Sequence, residues 1–141
     1  MRLLVLAEGK RCRVVAPVGD EDSCALVDQL EELAGHGKAV RKAVLGLYAA
    51  LDLISEQGRQ ACTHLFHEAS KSDGLYGIRK GDLRIYFFFD ADAGELVVCS
   101  HAAVKKQQRT ATADVSAAVR MKEKFDAAKK RRVLAYIGRE E

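Results

Sequence analysis

"GLYGIRKGDLRIYFFFD", residues 74–90, is the stretch on which the fold turns. It holds two β-rich runs, LYGIR at 75–79 and LRIYFFFD at 83–90, parted by a Lys-Gly-Asp turn signal. Ile85 to Phe89 is one of the most apolar runs in the chain, yet Arg84 precedes it and Arg79 ends the run before. A strand that buries itself so well needs no charge beside it. Either the arginines are solvated neighbours of a core strand, or the strand exists to hold them.

Working outward, Asp-Ala-Gly at 92–94 marks a second turn, and ELVVCSHAAV at 95–104 reads as a third strand. The three form an antiparallel meander. Upstream, Leu26, Leu30 and Leu33 recur at helical spacing behind Asp22 or Ser23 as caps, with Gly35 and Gly37 as the stop. Val40, Val44, Leu47, Leu51 and Ile54 repeat the pattern until Gly58. These two helices predict an αα-hairpin with apolar stripes that must be covered. The first 18 residues read as a β-hairpin. Thr112 is placed to cap a closing helix whose face carries Val115, Ala118, Met121, Phe125 and Ala128. VLAYIG, residues 133–138, either extends that helix or forms a last strand. The expected fold is α+β in one domain over 1–141: a helical hairpin on one face of a small antiparallel sheet, with an N-terminal hairpin and a C-terminal basic helix.

The bulk numbers fit this picture. A chain of 141 residues, 48% hydrophobic and 30% charged, buries enough surface for a real core. The longest apolar candidate, AVLGLYAALDLI, has 12 residues and contains Asp52, short of the roughly 20 a membrane span needs. The start lacks the long apolar region of a signal peptide, so a cytoplasmic protein without a membrane partner is expected. Cys12, Cys24, Cys62 and Cys99 are widely spaced and read as free thiols. Net charge is only +3, but residues 101–141 hold 11 basic and 5 acidic side chains. That asymmetry suggests a polyanion or an acidic protein as partner, although on charge alone a solvated lysine-rich helix is the stronger reading.

The meander brings Arg79, Arg84, His101, Lys105 and Lys106 toward one end of the sheet. Arg79 ends the first strand, Arg84 starts the second, and the others end the third. Such a set suits a phosphodiester: arginine offers a fixed fork of donors, and lysine adds point charge. RNA carries its own nucleophile in the 2′-hydroxyl, so positioning, charge and proton transfer suffice. Taken singly, each residue has a plainer reading, as edge-strand charge or a structural histidine. CTHLFH, with Cys62, His64 and His67, has Cys/His spacing that suits zinc if a fourth ligand comes from elsewhere; the alternative is a buried thiol beside surface histidines.

From about Leu65 to Arg120 the ordered runs LYGIR, LRIYFFFD, ELVVCSHAAVKK and QQRTA resemble the RelE/HigB-type toxins of bacterial and phage toxin–antitoxin systems. With the helices ending in ALDLISEQG, the resemblance spans roughly residues 25–130. It implies a toxin that cleaves mRNA on the ribosome without a cofactor or metal, leaving a 2′,3′-cyclic phosphate and a 5′-hydroxyl, and that is held by a cognate antitoxin. By the same resemblance Arg84 binds the scissile phosphate, Arg79 matches a motif arginine, Lys105 and Lys106 form the basic pair of the site, and His101 matches a family histidine. Imidazole chemistry makes His101 the candidate for proton transfer, and Arg79, Lys80 and Arg109 are candidates to hold flanking RNA. The chain departs from the pattern where Gly77 replaces a glutamate, Gln107 a threonine and Ala111 a proline. Those departures motivate the alternative, a non-catalytic RNA-binding or antitoxin-binding module of the same fold.

Overall fold

The computed structural model describes residues 1–60, 65–90, 96–105 and 112–138. Among them are seven strands and three α-helices. The strands are β1 (Arg2–Glu8), β2 (Arg13–Val18), β3 (His67–Ser70), β4 (Leu75–Lys80), β5 (Leu83–Phe89), β6 (Leu96–Val104) and β7 (Ala135–Ile137). The helices are α1 (Ala25–Ala34), α2 (Lys38–Gln57) and α3 (Thr112–Lys130). All seven strands join one sheet, in the order β3-β4-β5-β6-β2-β1-β7.

The expected meander is β4-β5-β6, antiparallel throughout. The sheet as a whole is larger than expected and mixed, not antiparallel. The N-terminal hairpin β1–β2 joins it through a parallel pairing of β2 with β6, and β7 lies parallel to β1. VLAYIG therefore supplies a strand, and it lies beside the start of β1: the Ala135 amide donates to the Met1 carbonyl at 2.9 Å.

The two faces of β5 explain the layers. All seven of its residues are buried, which requires cover on both sides. Leu83, Ile85, Phe87 and Phe89 face α1 and α2, in a core with Leu30, Leu47, Leu51 and Ile54. Phe88 faces the other way, against α3, where Phe125 meets it edge-on at 5.6 Å. The helices thus lie on both faces, not one. Period-2 alternation gives the reason: a run of five apolar residues puts bulk on both sides of the sheet. Lys129 of α3 reaches Asp90 at the end of β5, at 2.6 Å, and fastens the helix there.

Local details differ from expectation too. Cys24, not Asp22 or Ser23, precedes the first turn of α1, and no side chain caps it. Thr112 is the first residue of α3 and not its cap. Cys12, Cys24 and Cys99 are buried thiols, and full burial holds the Cys99 thiol far above its ordinary range. Cys62 lies outside the described residues. No helix among the described residues is long and apolar enough to cross a membrane.

Candidate functional site

The turn between β4 and β5 is a two-residue loop, Gly81-Asp82, set between the pair Lys80↔Leu83. Gly81 has φ +57°, which glycine adopts without strain. This short loop fixes the register, and the register writes the site. Arg79 pairs with Arg84, and Arg84 with Ala103. One step further from the loop, His67 pairs with Gly77, Gly77 with Tyr86, and Tyr86 with His101. Directly paired residues share a face. Two guanidinium groups therefore stand in one row and two imidazoles bracket the next, on the face that α3 covers only in part.

Arg84 is held tightly. It is 5% exposed, and its Nη1 donates to the carbonyls of Gly81 at 2.9 Å and Leu83 at 3.0 Å. Burial first, then the neighbouring Arg79, push its pKa down, with Tyr86 and Asp82 opposing. Placing two arginines directly opposite each other costs stability unless an anion sits between them.

The histidines sit in different surroundings. The His67 ring lies over Gly77: a Cβ there would stand 3.0 Å from Cε1 and 3.1 Å from Nε2. Glycine at this position therefore makes the room that the imidazole fills. Burial, and after it the charges of Arg79 and Arg84, lower the His67 pKa, which keeps the ring neutral. His101 leans on Tyr86, with ring centroids 5.1 Å apart. The ladder shifts register between Tyr86 and Phe87, leaving Ser100 as an extra residue beside His101. The Ser100 hydroxyl lies 2.9 Å from His101 Nδ1, and His101 Nε2 lies 3.0 Å from Asp114 Oδ1. The other Asp114 oxygen accepts from Lys105 Nζ at 2.6 Å. Burial would raise the Asp114 carboxyl, but the hydrogen bonds and charges of Lys105 and His101 outweigh it and hold the group below its ordinary range.

Of the residues anticipated from sequence, Arg79, Arg84, His101 and Lys105 gather on this face and rim. Lys80 does not join them. It alternates to the other face, where its stem crosses α2 at Gly46, 3.3 Å from where a Cβ would stand. Lys106 and Arg109, and the Cys62 and His64 of the zinc alternative, lie outside the described residues. Among the described residues no group of three or more His, Cys, Asp or Glu side chains is placed to hold a metal ion. Of the candidate site's residues, the sequence offers His67 only within the zinc alternative, and Ser100 and Asp114 not at all. A glycine facing a tyrosine in a buried strand marks space for a neighbour, and an acid in the first turn of a helix suits its positive end; those were the available signals.

A family model described as "Phage derived protein Gp49-like (DUF891)" matches residues 28–123. That span includes most of α1, all of α2 and the strands β3 to β6, and α3 as far as residue 123, and so every described residue of the candidate site. The β1–β2 hairpin and β7 lie outside it. No curated protein matches the chain.

Proposed function

Because the chain belongs to the Gp49-like family of phage-derived proteins, a family of the toxin–antitoxin type, we propose that it is a toxin that cleaves mRNA. The observation that carries this reading is the pair of rows on the sheet: Arg79 and Arg84 beside His67 and His101. Two guanidiniums give a phosphodiester paired donors and charge for the crowded phosphorane that forms in the transition state. An imidazole can take up a proton at one ring nitrogen while the other holds a hydrogen bond. His101 takes the 2′-hydroxyl proton, as the sequence suggested. His67, kept neutral, offers a hydrogen bond to the same phosphate or ribose. Lys105 adds positive charge at the rim, and Lys106 and Arg109 follow it in the sequence as further basic candidates. No metal is called for, and the products are a 2′,3′-cyclic phosphate and a 5′-hydroxyl. The partners are a cognate antitoxin and mRNA in the ribosomal A site, in the cytoplasm.

A second reading has its own observation. Arg84 is buried and spends Nη1 on backbone carbonyls, which suits a residue that braces a turn in a non-catalytic RNA-binding or antitoxin-binding module. Expression of the chain from a tight promoter in a bacterial host separates the two. The toxin reading expects growth arrest within a generation and new 5′-hydroxyl ends in transcripts. Normal growth with intact transcripts at high expression overturns it in favour of the binding module.

A further inference from the structure

Helix α3 reaches the site through Asp114. Asp114, in its first turn, binds both His101 and Lys105, one on each carboxylate oxygen. We propose that Asp114 is a positioning residue for RNA cleavage, which presents His101 Nδ1 as the base and holds Lys105 as the acid. This role rests on the ribonuclease reading above.

The geometry argues it in three steps. A carboxylate only accepts hydrogen bonds, so the His101 nitrogen 3.0 Å from Asp114 must carry the proton, and that nitrogen is Nε2. In the neutral ring the lone pair is then on Nδ1. Nδ1 has the Ser100 hydroxyl at 2.9 Å, which in this tautomer must be the donor. A serine hydroxyl and a ribose 2′-hydroxyl are the same chemical group, so Ser100 Oγ marks a point from which a 2′-hydroxyl can hand over its proton. Lys105 and Asp114 are largely buried, with side-chain exposures of 13% and 17%. A bond of 2.6 Å between such groups fixes the ammonium at the end of β6.

The chemical step then balances. The ribose 2′-hydroxyl takes the place of the Ser100 hydroxyl, which rotates off Nδ1, and its proton passes to His101 Nδ1 as the O2′–P bond forms. The P–O5′ bond breaks, and the departing 5′-oxygen takes a proton from the Lys105 ammonium. Asp114 stabilises the imidazolium in the interval. Proton exchange with water then restores neutral His101 and charged Lys105. Arg79 and Arg84, in the adjoining row, hold the phosphate throughout.

The test uses the full chain. Nitrogen-15 NMR of the histidines reads the His101 tautomer in the wild type without any cleavage assay, and is expected to show the proton on Nε2. Asp114→Asn is expected to lower kcat roughly 100-fold with KM nearly unchanged, in the range lost when a general base is misplaced. Asp114→Glu is expected to recover part of that loss. Melting temperatures of both variants are measured, and rates are taken per folded molecule. Cleavage by a wild type whose His101 carries its proton on Nδ1, or wild-type kcat in Asp114→Asn, overturns the positioning role and leaves the ribonuclease reading standing. The expected tautomer in a wild type that cleaves no RNA overturns the ribonuclease reading, and this role falls with it.

Discussion

Arg84→Ala is expected to damage the protein twice, and the two losses can be separated. Arg84 sits 5% exposed between two backbone carbonyls, at 2.9 and 3.0 Å. A hydrogen bond from a charged donor nets about 1.5–3 kcal/mol, and the carbonyls left behind lose their partner. Relief of the Arg79 repulsion gives some of that back. A net destabilisation of about 2–3 kcal/mol follows, or a fall in melting temperature of roughly 10 °C for a chain of this size. The catalytic loss is separate. If the guanidinium meets charge that develops only in the transition state, its removal costs about 3–4 kcal/mol, or roughly 100- to 1000-fold in rate. Arg84→Lys keeps the charge and loses the fork, so it should recover much of the stability and little of the rate. The assay is cleavage on programmed ribosomes well below the variants' melting temperatures, with rates scaled to the folded fraction. Arg84→Ala with wild-type melting and only a few-fold loss, reversed by salt, would refute this reasoning and make Arg84 a surface charge.

Other changes follow from the same contacts. Gly77→Ala puts a methyl group against the His67 ring and should cost about 1–3 kcal/mol while shifting the His67 imidazole resonances; an unchanged His67 spectrum would contradict the packing. Phe125→Ala should cost about 3–5 kcal/mol by emptying the core against Phe88, read by urea denaturation. Lys129→Ala should lose about 1–3 kcal/mol through Asp90, yet leave cleavage per folded molecule unchanged, because Lys129 braces α3 and stands away from the arginine rows. Stability should also depend on pH through two groups. The folded Asp114 pKa lies below its ordinary 3.8, so its contribution is present above that value and lost as pH falls through the folded pKa. The folded His67 pKa lies below 6.5, so stability should decline as pH drops from 6.5 through the lower folded value. His67→Gln should flatten that second decline in denaturant titrations at pH 5 to 8.

The central strands and the helical hairpin were legible because their signals are local. The β-rich runs across 75–89, a short turn and leucines at helical spacing need no distant partner to be read. The rest of the sheet was not local. The parallel pairing of β2 with β6 joins Arg13 to Leu96, and no short stretch announces it. β3 and β7 have four and three residues and exist only because a neighbouring edge accepts them. Strand alternation, applied strictly, would have moved Lys80 off the arginine face and set α3 behind Phe88. It would not have found His67, whose role depends on β3 pairing at a register that only the assembled sheet defines. Nor would it have found Ser100, which reaches His101 through a bulge. The core of the candidate site was visible as residue types. Its wiring through Asp114 required a helix from one part of the chain to land beside a strand from another.

The most direct test of the account uses a single atom of substrate. A messenger with 2′-deoxyribose at the one scissile nucleotide is placed on ribosomes with the purified protein, beside an all-ribose control. The account predicts that the control is cut to a 2′,3′-cyclic phosphate and a 5′-hydroxyl, while the deoxy substrate stays whole at that bond with its binding intact. Equal cleavage of both substrates would contradict it, because the nucleophile would then come from water or from the protein.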